Sequence, residues 1–348
     1  MPEIKKYKVT EPWLNLNCGL GEAPYWERDT NTVRFVDIVK KKLYFVNLDK
    51  GSDSLETHDL EYSIGTTADI EGTDKEIIFG GKLGYGIYNR ETKDMRWIKK
   101  FWNDEERKED GGGKPGVGKT RELRMRSNDG AVDVNGRYWV GTMNDPLEVD
   151  GNITDEGKLA PGSRVCSILG SHCCPGVLFR LDPDLTLHRM KTEVSIPNGM
   201  SWTLDNKSYY FTDSPTQTIG LYPFDQETGK PAFDKGKTYF NTKSHPGMED
   251  GIPDGHCQDE EGCFWIACFG TGKVLRVDPE GKVIAEIEFP TRCVTCPALA
   301  GTTLIVTSAE EEDPKTFPDS AKYQGAVFKL DVGVRGCPLN KFKLEAKA

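Results

Sequence analysis

The chain lacks most of the features that assign a protein quickly. No apolar run follows Met1-Pro2-Glu3-Ile4-Lys5-Lys6, so no secretory signal is read and a cytoplasmic location is expected. No stretch approaches the roughly 20 apolar residues of a membrane span, so no membrane partner is expected. Long helical periodicity is missing, which counts against an all-helical fold. Positive charge is in deficit: 45 Lys and Arg against 55 Asp and Glu give a net charge of −10. That balance disfavours nucleic acid and anionic lipid as partners and suits cation binding. Histidines number five, and the ten cysteines include one C-x-x-C pair, Cys293 and Cys296, with no second pair at zinc-site spacing. Without a secretory signal the cysteines read as reduced thiols, with Cys257 and Cys268 as small core residues and the adjacent Cys173 and Cys174 free.

What the chain does contain is a repeated phrase. Ile196-Pro197-Asn198-Gly199 and Ile252-Pro253-Asp254-Gly255 differ in one polar residue. Eight residues after that polar residue comes a turn position, Asn206 or Gly262, and then an aromatic strand, Tyr209-Tyr210-Phe211 or Phe264-Trp265-Ile266. The same spacing links Asn128 to Gly136 before Tyr138-Trp139-Val140, and Glu22 to Thr30 before Val33-Arg34-Phe35. Glu22, Asn128, Asn198 and Asp254 are thus expected at one structural position in four copies of a β-unit.

Short strands bounded by Gly, Asp and Asn fill the chain. Six strand pairs are read: 33–38 with 43–48, 76–79 with 85–88 (continuing to 95–98), 137–143 with 176–181, 208–212 with 219–224, 263–268 with 274–277, and 303–308 with 326–330. A cadence marks the outer strands: Phe179-Arg180-Leu181-Asp182, Leu275-Arg276-Val277-Asp278 and Phe328-Lys329-Leu330-Asp331. The pattern predicts an all-β fold, a six-bladed β-propeller formed as one domain by residues 1–348, with its core at about 17–332. Insertions are expected at about 103–121 and 145–175, and a solvated acidic loop at 310–323.

Gly113-Lys114-Pro115-Gly116-Val117-Gly118-Lys119-Thr120 satisfies G-x-x-x-x-G-K-[ST]. A phosphate loop needs a buried strand before it and a helix after it. The charged run Asp104-Glu105-Glu106-Arg107-Lys108-Glu109-Asp110 cannot be that strand, and five residues separate Thr120 from Arg126. No nucleotide is expected there. His256 stands two residues after Asp254, which strand alternation places on the same face, open to a lining or a catalytic role. In a propeller, one oxygen donor per blade at equal height makes a ring around a small cavity. Hard cations such as Ca²⁺, Mg²⁺ or Mn²⁺ take such ligands, and two carboxylates balance a double charge. Asn198-Gly199 and Asp254-Gly255 also suit turns.

At these residues the chain resembles the SMP-30/gluconolactonase/regucalcin family of six-bladed propellers. The matching stretches are Leu20-Gly21-Glu22-x-Pro24-x-Trp26, Arg126-x-Asn128-Asp129-Gly130, Gly136-Arg137-x-Trp139-x-Gly141-Thr142-Met143, Asn198-Gly199-x-x-Trp202, Tyr210-Phe211-Thr212-Asp213-Ser214, Pro253-Asp254-Gly255 and Val306-Thr307-Ser308-Ala309. The resemblance implies one divalent cation, Ca²⁺ first and Zn²⁺, Mg²⁺ or Mn²⁺ as alternatives, held by Glu22, Asn198 and Asp254 with Asn128 close by. It implies that Arg126 and Asn128 hold substrate oxygens and that a small-molecule lactone is hydrolysed. A carboxylate beside the metal can take a proton from water, and Asp254 is the candidate general base. Members carry an acidic residue soon after Gly-Thr-Met; here Asp145 is the candidate substrate contact. A related esterase or phosphotriesterase using His256, and a calcium-binding propeller without turnover, are the competing expectations. Arg126 favours an enzyme, because cation binding alone has no need of an arginine two residues from a ring donor.

Overall fold

The structure, a computed structural model, describes residues 4–108, 120–148 and 176–345. After a first strand, β1 (Lys5–Lys8), the chain builds six small sheets in sequence. The first holds β2 (Gly21–Glu27), β3 (Thr32–Asp37), β4 (Lys42–Asn47) and β5 (Glu56–Asp59); the second holds β6 (Ile64–Asp69), β7 (Glu76–Gly81), β8 (Gly84–Asn89) and β9 (Met95–Lys100). The third holds β10 (Met125–Val132), β11 (Tyr138–Asn144), β12 (Gly176–Leu181) and β13 (Leu187–Val194). The fourth holds β14 (Pro197–Trp202), β15 (Ser208–Asp213), β16 (Thr218–Asp225), β17 (Lys230–Pro231) and β18 (Lys237–Asn241). The fifth holds β19 (Ile252–Gln258), β20 (Phe264–Phe269), β21 (Lys273–Val277) and β22 (Val283–Glu288), with β1 added parallel to β22. The sixth holds β23 (Val294–Ala300), β24 (Thr303–Ser308) and β25 (Phe328–Asp331). These are the blades of a six-bladed β-propeller, and each expected strand pair is present.

The chain forms two compact units, residues 1–63 with 198–339, and residues 64–197 with 340–348. In the first unit, apolar side chains interlock between successive sheets: Tyr210 and Ile219 with Phe264 and Ile266, Trp265 and Val274 with Val306 and Phe328, and Ile305 and Val327 with Phe35 and Val46. The sixth sheet has three strands, and the N-terminal segment completes it. Leu14 N donates to Val327 O, and Val327 N donates back to Leu14 O at 2.8 Å. The second unit packs Tyr85, Phe101 and Ile78 against Tyr138, Phe179 and Leu181. Phe342 from the C-terminal segment is fully buried in that core. Its N–H donates to Asp69 O, and Glu71 N donates to Phe342 O.

Two buried carboxylates build the turns that the spacing marked. Asp133 accepts from Asn135 N, Arg137 N, Arg137 Nε at 2.6 Å and Trp139 Nε1 at 3.0 Å. Asp259 repeats the arrangement with Glu261 N, Cys263 N, Trp265 Nε1 and Arg276 Nε. Each carboxylate ties its hairpin turn to the tryptophan of the next strand.

Among the described residues no helix is long and apolar enough to cross a membrane. The expected insertion at 145–175 and the sequence Gly113–Lys119 lie almost wholly outside the described residues. From Thr120 onward the chain makes a single helical turn, α1 (Arg121–Arg124), before β10. The acidic run ends differently from expectation. Glu311 is buried, with Arg292 donating to both carboxylate oxygens, so this part of 310–323 is packed rather than solvated.

Asp133 is fully buried, and an Asp133→Ala variant removes the acceptor shared by its four donors. Removing one partner of a buried, hydrogen-bonded ion pair costs about 3–5 kcal/mol. Urea unfolding of Asp133→Ala should show a loss in that range, and Asp133→Asn, which keeps an acceptor oxygen, a smaller one.

Candidate functional site

The first strands of four of the sheets share an irregularity. In β19, Pro253 faces Cys268 and His256 faces Ile266, so one extra residue is accommodated between them. The same β-bulge lies between Ser127 and Gly130 in β10, between Glu22 and Tyr25 in β2, and between Val294 and Pro297 in β23. A bulge leaves the ladder locally unpaired and re-aims its side chains. Asp254 and Asn128 occupy the same place within it. Glu22 does not: by register it matches Pro253 and Ser127, and Ala23 is the counterpart of Asp254. The left-handed turn residue of that hairpin is Asn31 (φ 50°), not Thr30. The hairpin loop is one residue shorter, and this corrects the expectation of four donors at one position. Ala23 itself is left-handed (φ 49°), and its N–H donates to Glu22 Oε2 at 3.1 Å.

The first unit carries Glu22, Asn198 and Asp254, all buried. They stand on neighbouring strands: β14 lies beside β19, where Ser201 Oγ and His256 Nε2 are 2.7 Å apart, β19 beside β23, and β23 beside β2, where Thr295 Oγ1 donates to Gly21 O at 2.6 Å. Gly199 and Gly255 lie within strands, not turns, and are needed for close approach. A Cβ on Gly255 would stand 2.4 Å from Cys296 Sγ, and one on Gly199 2.3 Å from His256 Nδ1. The orientation of Asn198 follows from its partner. Ser214 Oγ donates to Pro253 O at 2.7 Å, which commits the only hydroxyl proton. Ser214 can then only accept, and Asn198 Nδ2 donates to it at 2.8 Å. The amide is thereby held with Nδ2 toward Ser214 and Oδ1 as its acceptor end. Two carboxylates and one oriented amide oxygen make an oxygen-only donor set, which fits a hard divalent cation better than a soft one. Among the described residues no three of His, Cys, Asp and Glu gather into a metal-holding group, so amide and solvent oxygens would complete any coordination.

His256 is not placed by simple alternation, because the bulge interrupts the period-two count between it and Asp254. Its Nε2 lies 2.7 Å from Ser201 Oγ, its ring packs edge-on against Phe264, and Nδ1 has no partner. Burial pushes its pKa down to about 3. The imidazole is therefore neutral near pH 7 and poorly matched to general-base work there.

The second unit gathers a different set. Arg126 Nη1 donates to Ser127 O and to Asn128 Oδ1, both at 2.8 Å, while Asn128 Nδ2 donates to Pro197 O at 2.9 Å. Asp145 is buried at the end of β11, its Oδ2 2.7 Å from Lys82 Nζ and its Oδ1 4.0 Å from Arg126 Nε. Lys82 was not singled out from sequence. The signal was a lysine inside the Gly-rich hairpin Gly80-Gly81-Lys82-Leu83-Gly84. Asp129, beside Asn128, has its carboxyl pushed up to about 6 by burial and accepts from Gly130 N. Of the C-x-x-C pair, Cys293 and Cys296 are both buried free thiols.

The family description "SMP-30/Gluconolactonase/LRE-like region" matches residues 20–310. Regucalcin of Sus scrofa is 30% identical over 331 residues, covering 93% of this chain and 95% of its own length. The structure of a calcium-binding protein, regucalcin, from Agrobacterium tumefaciens str. C58 superposes with a TM-score of 0.75 at 22% identity, covering 98% of this chain and 100% of that one. A gluconolactonase from Xanthomonas campestris superposes with a TM-score of 0.59 at 17% identity, covering 86% of each chain.

The buried imidazole sets a pH dependence of stability. A free histidine titrates near pH 6.5, and His256 in the fold near 3. Between those values the unfolded chain binds a proton that the folded chain does not. Stability therefore falls as pH falls through the window, by at most about 1.4 kcal/mol per pH unit. A His256→Met variant lacks this term. Urea titrations at pH 7 and pH 5 should show the variant gaining up to about 2 kcal/mol on the wild type over that step.

Proposed function

The chain belongs to the SMP-30/gluconolactonase/LRE-like family, and on that footing we propose that it is a divalent-metal-dependent lactonase that opens a sugar lactone or a similar cyclic ester. The observation that carries the reading is the locked Asn198 amide. The Asn198–Ser214–Pro253 chain spends two hydrogen bonds on presenting one buried amide oxygen, on a strand adjoining that of Asp254. Glu22, Asn198 and Asp254 would hold the cation, Ca²⁺ being favoured by an oxygen-only donor set. Such a cation would polarise the lactone carbonyl and favour the negative charge that develops on its oxygen.

The remaining roles fall to the chain's own residues. The Asp254 carboxylate takes a proton from the attacking water, whose oxygen bonds to the carbonyl carbon. The ring C–O bond then breaks, the leaving alkoxide is protonated, and a hydroxy acid departs. Arg126, with Asn128, supplies hydrogen bonds to substrate hydroxyl and carbonyl oxygens. Cation binding without turnover is the second reading, favoured by the regucalcin relatives. A buried arginine bonded through Nη1 to Asn128 supports turnover, because a cation store has no need of it.

A panel of aldonolactones assayed with EDTA and metal add-back decides between the two: loss on chelation and recovery with Ca²⁺ supports the lactonase, and no hydrolysis with any metal leaves the cation-binding role. At saturating metal, Asp254→Asn should lower kcat by about 10²–10⁴-fold. Arg126→Ala should chiefly raise KM and leave metal affinity unchanged, since a bond to a fixed substrate oxygen is made in ground and transition states alike. Near wild-type kcat in Asp254→Asn would assign the base elsewhere.

A further inference from the structure

Arginine and carboxylate groups left side by side close into a two-pronged pair with N–O distances of about 2.8 Å. Arg126 and Asp145 have not done so. Nε and Oδ1 remain 4.0 Å apart, although both side chains are about nine-tenths buried. The carboxylate is engaged from two other sides. Lys82 Nζ holds Oδ2 at 2.7 Å, and Leu147 N donates to Oδ1 at 3.2 Å. Lys82 is itself set on a stiff support. Ser127 Oγ, on the residue next to Arg126, donates to Gly80 O at 2.8 Å and accepts from Gly65 N. Gly80 is packed so closely that an added Cβ would stand 2.8 Å from Val140 Cγ1. The hairpin that carries Lys82 is thus pinned to the strand that carries Arg126.

We propose that Lys82 is a positioning residue: by holding Asp145 it keeps that carboxylate from capturing Arg126, so that the guanidinium stays on Ser127 O and Asn128 Oδ1. The role of Arg126 toward substrate rests on the lactonase reading, whereas the competition among Lys82, Asp145 and Arg126 does not. Without the ammonium, Asp145 turns to the nearest cation, closes the 4.0 Å gap and draws Arg126 off Asn128. Asp145 then acts on binding through Arg126 and makes no substrate contact of its own.

Two measurements test this. Crystal structures of the wild type and of Lys82→Met should show the Arg126–Asp145 distance falling to about 2.8–3.0 Å with the Arg126–Asn128 bond lost. Kinetics on a hydrolysed lactone should show KM rising about tenfold or more in Lys82→Met, with kcat changed far less. Lys82→Arg should retain most of the wild-type KM. The decisive arm is the double variant Lys82→Met/Asp145→Asn. A neutral amide no longer captures Arg126, so KM should return toward the wild-type value, whereas damage that was only structural would deepen. Should Lys82→Met not fold, Lys82→Gln removes the charge while keeping a hydrogen-bonding group. An Arg126 that keeps its bonds to Ser127 and Asn128 in the single variant, or a double variant no better than the single, overturns the proposal. If the wild type hydrolyses no lactone, the lactonase reading fails and the crystal structures alone decide the role of Lys82.

Discussion

An extra residue in the first strand of a sheet is the constraint from which the buried polar side chains of each unit follow. An unbroken antiparallel ladder would pair every backbone group and send alternate side chains to opposite faces. The bulges at Ser127–Gly130 and Pro253–His256 suspend that rule for a few residues. Asn128 and Asp254 are freed from it at the cost of backbone groups that must find partners elsewhere. One of those partners is visible: Pro253 O takes Ser214 Oγ. The side chain that satisfies this displaced carbonyl is the one that orients the candidate donor Asn198, so backbone repair and site construction are one arrangement.

Buried carboxylates in this chain divide by how completely the fold answers them. Asp133 and Asp259 each collect four donors, including a tryptophan N–H and an arginine, and serve the hairpin turns. Asp129 is answered mainly by the N–H of Gly130, and its raised pKa records the deficit. Asp145 lies between these cases, shared by a lysine, a backbone N–H and a distant arginine. Saturated carboxylates hold structure, while incompletely answered ones keep the capacity to respond to a proton, a cation or a ligand.

Much of this was legible before any coordinates. Strand pairing could be read because the hairpin turns need left-handed residues, and Gly136, Asn206 and Gly262 supply them eight residues after Asn128, Asn198 and Asp254. Those same turns gave away Asn128, Asn198 and Asp254 by distance along the chain. Counting failed where the loop length changed. Thr30 and Asn31 are equally plausible turn residues, and only the left-handed φ of Asn31 reveals that Glu22 sits one place early. Counting failed again at His256, because a bulge leaves no mark on composition and alternation was carried straight through it. Lys82 could not be found this way: its importance lies in Asp145, 63 residues away, and such a pairing belongs to packing rather than to local pattern. Ser214 was visible as part of a phrase, but its action through Pro253 was not.

The burial of Phe342 bears on how the molecule comes to be made. Residues 64–197 form a unit whose core also takes the ring of Phe342, 145 positions after residue 197. In synthesis that ring appears only after the intervening residues 198–341 have been made. The segment that synthesis finishes early must therefore wait, with Ile70, Tyr138 and Leu181 incompletely covered, while the rest of the polypeptide emerges. Domains that begin folding during synthesis normally avoid such delays. Here the interval exposes an apolar surface for about the time needed to add the intervening 140 or so residues, several seconds to half a minute at roughly 5–20 residues per second. A chain cut short before Phe342 would never close that interval, and Ile70, Tyr138 and Leu181 would stay incompletely covered.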